Sequence, residues 1–372
     1  MNHFTVTKIP VETRFSKTVF LDDQFLLTTP EMPFSQGLKT ALANWAFPEI
    51  LSEGEPRDGD DVQAAAGDIA QDEIKLKDAE TFYASFLQYA ELLFSYATKK
   101  EPLEFTKVAE KITEVCDYIK EDHRFLLRVI MAADKNTGGN YLAAHAVNSA
   151  ISSIIIGVYF KIPLDRLIEL GVAALLHEIG MTGLPPEVYL NNRPLTPPEQ
   201  KAILTHPVLG YSILKAADFP LTVSIAVLEH HERENGSGYP RKLPGNKISL
   251  YAKIIAVACS YEALTTSRPY RDAKDGFTGM LDLLKNEGKQ YDDRVIRALV
   301  YSFSIYPIGL YVLLSDGKKG QVVDVNPENP RFPVVQILGE PRADGKTRTL
   351  QTSSGGVSIN RPLLQEEITV SQ

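Results

Sequence analysis

A mainly α-helical protein is what this sequence predicts, an all-helical body flanked by a small α+β module before it and a short β module after it. Three observations carry that expectation. Apolar residues recur at spacings of three and four through Phe82, Phe86, Tyr89, Leu92 and Leu93, and again through Val108, Ile112, Val115 and Ile119, the period of one helical face. Within the helical part of the chain, five of the seven histidines fall at His145 and between Leu175 and Arg271, near acidic, glycine and arginine residues. Beyond Pro307 the period changes to two, between Asp-Gly and Asn-Pro turns, which marks strands.

Taken in order, residues 1–51 hold short apolar stretches at Thr18 to Leu21 and Phe25 to Thr28 and a helix-like stretch at Leu38 to Phe47, read together as the α+β module. Residues 52–71 are acidic, rich in Gly and Ala and poor in large apolar side chains, the composition of a flexible linker. Residues 72–306 form the helical domain. After the two periodic segments, further helices are expected at Leu142 to Phe160, Leu164 to Ile179, Pro197 to Ala216, Leu221 to His231, Leu250 to Thr265, Phe277 to Glu287 and Asp292 to Ser304. Thr196 before Pro197 and Pro198, with Glu199 three residues on, is a helix start with a capping box. Residues 307–372 are the β module, with strands at Tyr311 to Leu314, Gly320 to Val325 and Val334 to Leu338.

The chain has 372 residues, 44% hydrophobic and 23% charged, enough for a sizeable core in a soluble protein of two or three domains. Its 39 basic and 47 acidic residues give a net charge of −8. That balance argues against DNA or RNA as a partner, because such binding rests on many Lys and Arg contacts to phosphate. A small anion held by a few local cations fits it. Cys116 and Cys259 are the only cysteines, too few for a disulfide framework and in keeping with a reducing, cytoplasmic setting. Met1 to Pro10 carries no signal-peptide pattern. The uncharged run Ala298 to Ser315 contains Pro307 and Gly309 and reads as a helix end followed by a strand, so membrane insertion is not expected.

The chemistry concentrates between Leu175 and Arg271, where LLHEIG, THP, EHHERENGSGYP and YEALTTSRPYR follow one another. With His145 upstream, this region holds five of the seven histidines. His177, His206, His230 and His231 are neutral imidazoles of the kind that bind borderline divalent metals, and Glu178 adds a charged oxygen able to bridge. A zincin is excluded, since Met181 stands where its helix would place a second histidine. Adjacent pairs such as His177-Glu178 and His230-His231 lie about 100° apart around a helix, so they can serve two neighbouring ions. A buried centre for two metal ions follows, and the matching chemistry is in-line displacement at a phosphodiester. His3 and His123 read as ordinary surface residues.

The motifs HE-IG, THP, HHE, GSGYP and SRPYR, in this order over about residues 130 to 305, resemble the HD-GYP branch of the HD phosphohydrolases. The resemblance implies an all-helical domain that hydrolyses cyclic di-GMP to pGpG, and further to GMP, at two divalent ions, iron or manganese. It implies metal ligation by His145, His177, Glu178, His206, His230 and His231, with His177 and Glu178 as the catalytic pair. It implies a loop of Gly236, Gly238, Tyr239 and Pro240 beside the substrate, and contact with its phosphate or guanine by Arg268 and Arg271. A GGDEF-type cyclase meeting that loop, and regulation or homodimerisation through the N-terminal module, are the partners it implies. Three positions depart from the family pattern: Glu178 replaces Asp, Met181 replaces a Lys, and Cys259 replaces a metal-binding Asp while remaining a candidate ligand. Those departures open a second reading, a cyclic di-GMP sensor or protein-interaction module that keeps the pocket without turnover.

Overall fold

The computed structural model describes residues 2–10, 13–15, 17, 19–20, 26–28, 34, 38–40, 42, 48–57, 64–132, 141–189, 193–266, 274–286, 289–326, 329–341, 347–354, 356–363 and 367. The chain forms two units, Met1–Glu73 and Ile74–Gln372. In the first, β1 (Asn2–Thr5), β3 (Val19–Phe20), β4 (Leu26–Thr28) and β5 (Glu49–Ser52) make an antiparallel sheet of order β1-β5-β3-β4, and β2 (Arg14–Phe15) pairs with β6 (Pro56–Arg57). Val6, Ile9, Phe15, Val19, Phe34, Leu42 and Ile50 form its core. Of the apolar stretches at Thr18 to Leu21 and Phe25 to Thr28, Val19–Phe20 is β3 and Leu26–Thr28 is β4. Of the helix expected at Leu38 to Phe47, residues 38–40 and 42 are helical and the rest lies outside the described residues.

The linker expectation changes most. Part of residues 52–71 lies in β5 and β6, and from Ala64 the backbone is already helical in α1 (Ala64–Lys99). Alanine is the strongest helix former, so a stretch that composition marks as loose extends a helix fixed farther along. After α1 come α2 (Phe105–Ala132), α3 (Tyr141–Tyr159), α4 (Leu164–Leu176), a 3-10 turn (Ile179–Gly183), α5 (Pro186–Tyr189), α6 (Pro197–Ile203), α7 (His206–Ala216), α8 (Leu221–Glu229), α9 (Leu250–Thr265), α10 (Gly276–Leu284) and α11 (Asp293–Phe303). The helix expected from Pro197 to Ala216 is in fact two. Pro207 has no N–H and its ring would clash with the carbonyl four residues back, so the chain breaks at Leu204 and Thr205 and restarts at His206.

α3 is the axis of the helical body. Every residue from Leu142 to Gly157 is buried, and small side chains such as Ala143, Ala146 and Ala150 allow α4 and α9 to pack closely against it. It is long and apolar enough to cross a membrane, but 89% of that stretch is buried inside the protein. The apolar run Ala298 to Ser315 resolves as expected into the end of α11 and a strand.

The β module is an antiparallel sheet of order β10-β9-β8-β7-β11, from β7 (Tyr311–Leu314), β8 (Lys319–Asp324), β9 (Val334–Pro341), β10 (Thr347–Gln351) and β11 (Ile359–Pro362). The first three are the expected strands and the last two are additions. Val312, Leu314, Val322, Val335 and Ile337 join the same apolar core as the helices. Arg128 donates from Nη2 to the Val323 carbonyl at 2.6 Å, and Arg124 pairs with Asp324 at 2.7 Å. The sheet therefore packs as part of the helical unit, not as a separate module.

Candidate metal centre

The local folding of the HE, THP and HH motifs explains how their side chains meet. His177 caps the C-terminus of α4, so His177 and Glu178 leave the helix together and lead into the 3-10 turn. His206 opens α7. His230 caps α8, with His231 next in the chain, and His145 comes from the second turn of the buried α3. Gly180 lets the turn approach α7: a Cβ there would lie 2.0 Å from the His206 carbonyl oxygen and 2.5 Å from Gly210 N.

Three of these imidazoles are oriented identically. His177, His206 and His230 each hold Nδ1 against the carbonyl three residues earlier, Ala174, Ile203 and Val227, at 2.7, 2.7 and 2.6 Å. A carbonyl only accepts, so Nδ1 carries the proton and Nε2 presents a lone pair. His145 Nε2 lies 3.2 Å from His177 Nε2, and His206 Nε2 lies 3.2 Å from His230 Nε2. Lone pairs facing each other at that distance repel unless a cation lies between them.

Glu178 joins the two sets. Its Oε1 lies 3.9 Å from His145 Nε2 and 3.8 Å from His177 Nε2, while Oε2 lies 3.4 Å from His206 Nε2. Buried Oε2 accepts no hydrogen bond, a costly state for a carboxylate oxygen with no other partner. Two groups result, His145–His177–Glu178 and Glu178–His206–His230–His231, the ligand atoms within each lying within 4.8 Å of one another. The donor set of imidazole nitrogens and a shared carboxylate fits two borderline divalent ions.

Electrostatics agree with this reading. Burial pushes the His177 imidazole down to about 4, and burial with neighbouring imidazoles pushes His230 and His231 well below their ordinary value. All three are therefore neutral at pH 7. Burial raises the Glu178 carboxyl, but the surrounding imidazoles outweigh it and hold the group below the usual carboxylate range. A cavity of about 560 Å³ opens onto the centre, a size typical of small-molecule sites.

Other expected site residues divide. Tyr239 lines the cavity and stacks on His231 at 4.6 Å between ring centroids. Gly238 lies against the chain beneath it, where a Cβ would come within 2.5 Å of the His231 carbonyl oxygen; neither Gly238 nor Pro240 is part of the cavity wall. Met181 is buried and lines the same cavity. Cys259 is buried on α9, its Sγ 3.6 Å from the Ala256 carbonyl oxygen, and belongs to neither ligand group. Arg268 and Arg271 lie outside the described residues.

Several contributors escape a reading of the sequence. Glu232 accepts from Arg241 N at 2.6 Å and Leu243 N at 2.9 Å, and Glu229 accepts from Ser249 N at 2.8 Å and from the Arg241 guanidinium. These two buried carboxylates hold the segment that follows GSGYP, at Arg241, Leu243 and Ser249. Arg193 brings a guanidinium to the cavity wall and donates to both Glu199 oxygens, at 2.9 and 2.6 Å; those bonds hold the Glu199 carboxyl down at about 2. The capping box foretold Glu199 as a helix cap and gave no sign that it also aims an arginine.

Residues 148–295 match the HD domain family. The chain is 28% identical over 199 residues to the cyclic di-GMP phosphodiesterase PdeB of Borreliella burgdorferi, covering 54% of this chain and 52% of that one. It is 27% identical over 252 residues to the cyclic di-GMP phosphodiesterase PA4108 of Pseudomonas aeruginosa, covering 68% and 60%. The chain thus spans about half the length of the curated relatives it matches. A solved HDG"Y"P protein from Bdellovibrio bacteriovorus shares the fold, with a TM-score of 0.50 at 16% identity over 80% of this chain and 97% of that one. The family match begins at Asn148, just after His145, whose place in the centre is supported by its Nε2 lying 3.2 Å from His177 Nε2.

Proposed function

We propose that this chain, whose residues 148–295 match the HD domain family and whose motifs resemble the HD-GYP branch, is a metal-dependent phosphodiesterase acting on a cyclic dinucleotide, cyclic di-GMP first, yielding pGpG and then GMP. The observation that carries the proposal is Glu178, which turns one oxygen toward His145 and His177 and the other toward His206. In this reading His145 and His177 hold one ion, His206, His230 and His231 hold the other, and Glu178 is shared. When bound, such a pair of ions polarises a phosphate ester and acidifies water. The protein's own groups do the rest. Arg193 offers a permanent cation to a phosphate, Tyr239 a ring face to a base, and Met181 and Leu142 an apolar wall that limits water. The same proposal takes iron or manganese as the ions, a GGDEF-type cyclase as partner of the GSGYP loop, self-association through the N-terminal unit, and a cytoplasmic site of action. These finer points rest on the family resemblance and on two buried, unbridged cysteines.

A second reading has its own observation. Cys259 stands outside both ligand groups and Met181 replaces a cation on the cavity wall, as in a module that binds cyclic di-GMP without cleaving it. Anaerobically purified protein loaded with iron or manganese is to be incubated with cyclic di-GMP and the nucleotides resolved by chromatography. Product that disappears on chelation supports the enzyme. Intact nucleotide in a verified metal-loaded sample rejects it in favour of the binding module.

A further inference from the structure

Among the imidazoles of the centre, His145 is held differently. His177, His206 and His230 each satisfy Nδ1 with the carbonyl three residues back in their own segment. His145 Nδ1 instead meets the Oε2 atom of Glu262, which lies 117 residues away on α9. Both side chains are buried, at 6% and 5% exposure. Glu262 touches the ring on the edge opposite Nε2, the atom that faces His177, and it belongs to neither ligand group. It therefore sits behind the ligand and not on the ion.

We propose that Glu262 is a positioning residue that fixes the ring orientation and tautomer of His145, so that His145 Nε2 presents its lone pair to the ion shared with His177 and Glu178. An ionised carboxylate only accepts hydrogen bonds, so this contact places the imidazole proton on Nδ1. It also makes Nε2 a stronger donor to a metal, as carboxylates behind ligating histidines do. The structural reason for a carboxylate here is the position of His145. It lies in the second turn of α3, well inside a continuous helix, so the carbonyls behind it are engaged in the helix's own bonds. The other three occur at helix ends or starts, where nearby carbonyls are free to take a side chain. Glu262 lies one turn beyond Cys259, so α9 supplies this site with a buried anion even though Cys259 does not join a ligand group.

This inference rests on the two-ion reading, and the test separates the two. In the metal-free full chain with 15N-labelled histidine, His145 is expected as the Nδ1–H tautomer in the wild type and in Glu262→Gln, and to lose that preference in Glu262→Leu. Titration with Mn2+, followed by electron paramagnetic resonance, is expected to give an exchange-coupled pair in the wild type. Removing a partner behind a ligand weakens metal binding about 10- to 100-fold, so Glu262→Leu is expected to retain one uncoupled Mn2+ and bind the second about 100-fold more weakly. Glu262→Gln, of equal size, is expected near the tenfold end and decides the question if the leucine variant does not fold. Wild-type coupling and affinity in both variants, or an unchanged His145 tautomer in Glu262→Leu, overturns the role of Glu262. A wild type that takes up no Mn2+ overturns the metal-centre reading, and the His145 tautomer then judges Glu262 alone.

Discussion

Gly180→Ala changes one hydrogen for a methyl group, and the centre depends on that hydrogen. The added carbon would lie 2.0 Å from the His206 carbonyl oxygen, 2.5 Å from Gly210 N and 2.9 Å from the His206 carbonyl carbon. All three are backbone atoms at the start of α7, so no rotamer change relieves them. Ordinary contact begins at 3.4 Å, which requires about 1.4 Å of separation between the turn carrying Gly180 and the helix carrying His206. Overpacking of this kind costs roughly 1–3 kcal/mol of stability. The effect on the site is larger, because Glu178 and His206 belong to those two elements and lie 3.4 Å apart. Metal ligands tolerate about 0.2 Å of error, and a 1 Å misplacement costs on the order of 100-fold in rate. Gly180→Ala is therefore expected to remain folded, with a melting temperature lowered by several degrees, and to lose at least about 100-fold in cyclic di-GMP turnover together with one bound ion. Metal content by mass spectrometry, thermal melting and a chromatographic assay measure the three effects. A variant with wild-type metal content and turnover would refute the claim that the Gly180 contact sets the spacing of the two ligand groups.

Three further outcomes are expected. Replacing His230 and His231 together by Ala removes two of the four donors of one ligand group and should abolish binding of that ion and all turnover, with full activity in the double variant counting against the assignment. Arg193→Ala should raise KM about 10- to 100-fold with a smaller change in kcat, the scale of one hydrogen bond to a charged group; unchanged KM would show that Arg193 serves only Glu199. Asp292, the N-cap of α11, accepts from Arg294 N at 2.9 Å and Lys253 Nζ at 3.1 Å, so Asp292→Ala should cost about 2–3 kcal/mol in denaturant unfolding. Burial raises the Asp292 carboxyl, but the bonds from Arg294 and Lys253 outweigh it and hold it below its ordinary value of 3.8. Its stabilisation is accordingly present in full above that value and lost as pH falls below it, so wild type and variant should converge in stability in strong acid.

What the sequence could convey follows from where each partner lies. The ligands His177, His206 and His230 are legible because helix ends supply their Nδ1 partners locally, and His231 follows His230 directly, so the short motif carries most of the geometry. His145 is less so, since the group that orients it is Glu262, 117 residues away, and no local pattern joins α3 to α9. Glu229 and Glu232 flank the double histidine and look like ligands in one dimension; the fold turns both toward the backbone of the following loop. The helix break at Thr205 was written in Pro207, but continuous apolar spacing masks it until one helix is seen to end at Ile203 and the next to start at His206. The strands Thr347–Gln351 and Ile359–Pro362 lack clean alternation because both pair across irregular registers at the margins of the sheet. The extra turns of α1 before residue 72 depend on a helix whose packed residues lie beyond Ile74.

Cys259 and Met181 are best considered as one change. Relative to the family pattern, Cys259 removes one negative charge and Met181 removes one positive charge, so together they leave the net charge near the cavity as it would otherwise be. Separately they would not: an added Asp on α9 would put an uncompensated buried anion near the centre, and an added Lys at 181 would place a buried cation on a wall that already faces two proposed divalent ions. Cys259→Asp alone and Met181→Lys alone are thus expected to destabilise the metal-free chain by roughly 1–3 kcal/mol each, the cost of a buried charge without its partner after partial relaxation. The double variant should recover part of that loss when loaded with metal, since the carboxylate gains an ion to bind and the ammonium a phosphate to face. It should also raise cyclic di-GMP turnover above the wild type, or create it if the wild type has none. Measuring all four proteins for melting temperature with and without Mn2+, and for product formation, decides the matter. Additive destabilisation with no gain in turnover would mean that the two positions are not coupled through the centre and that some other feature limits the rate.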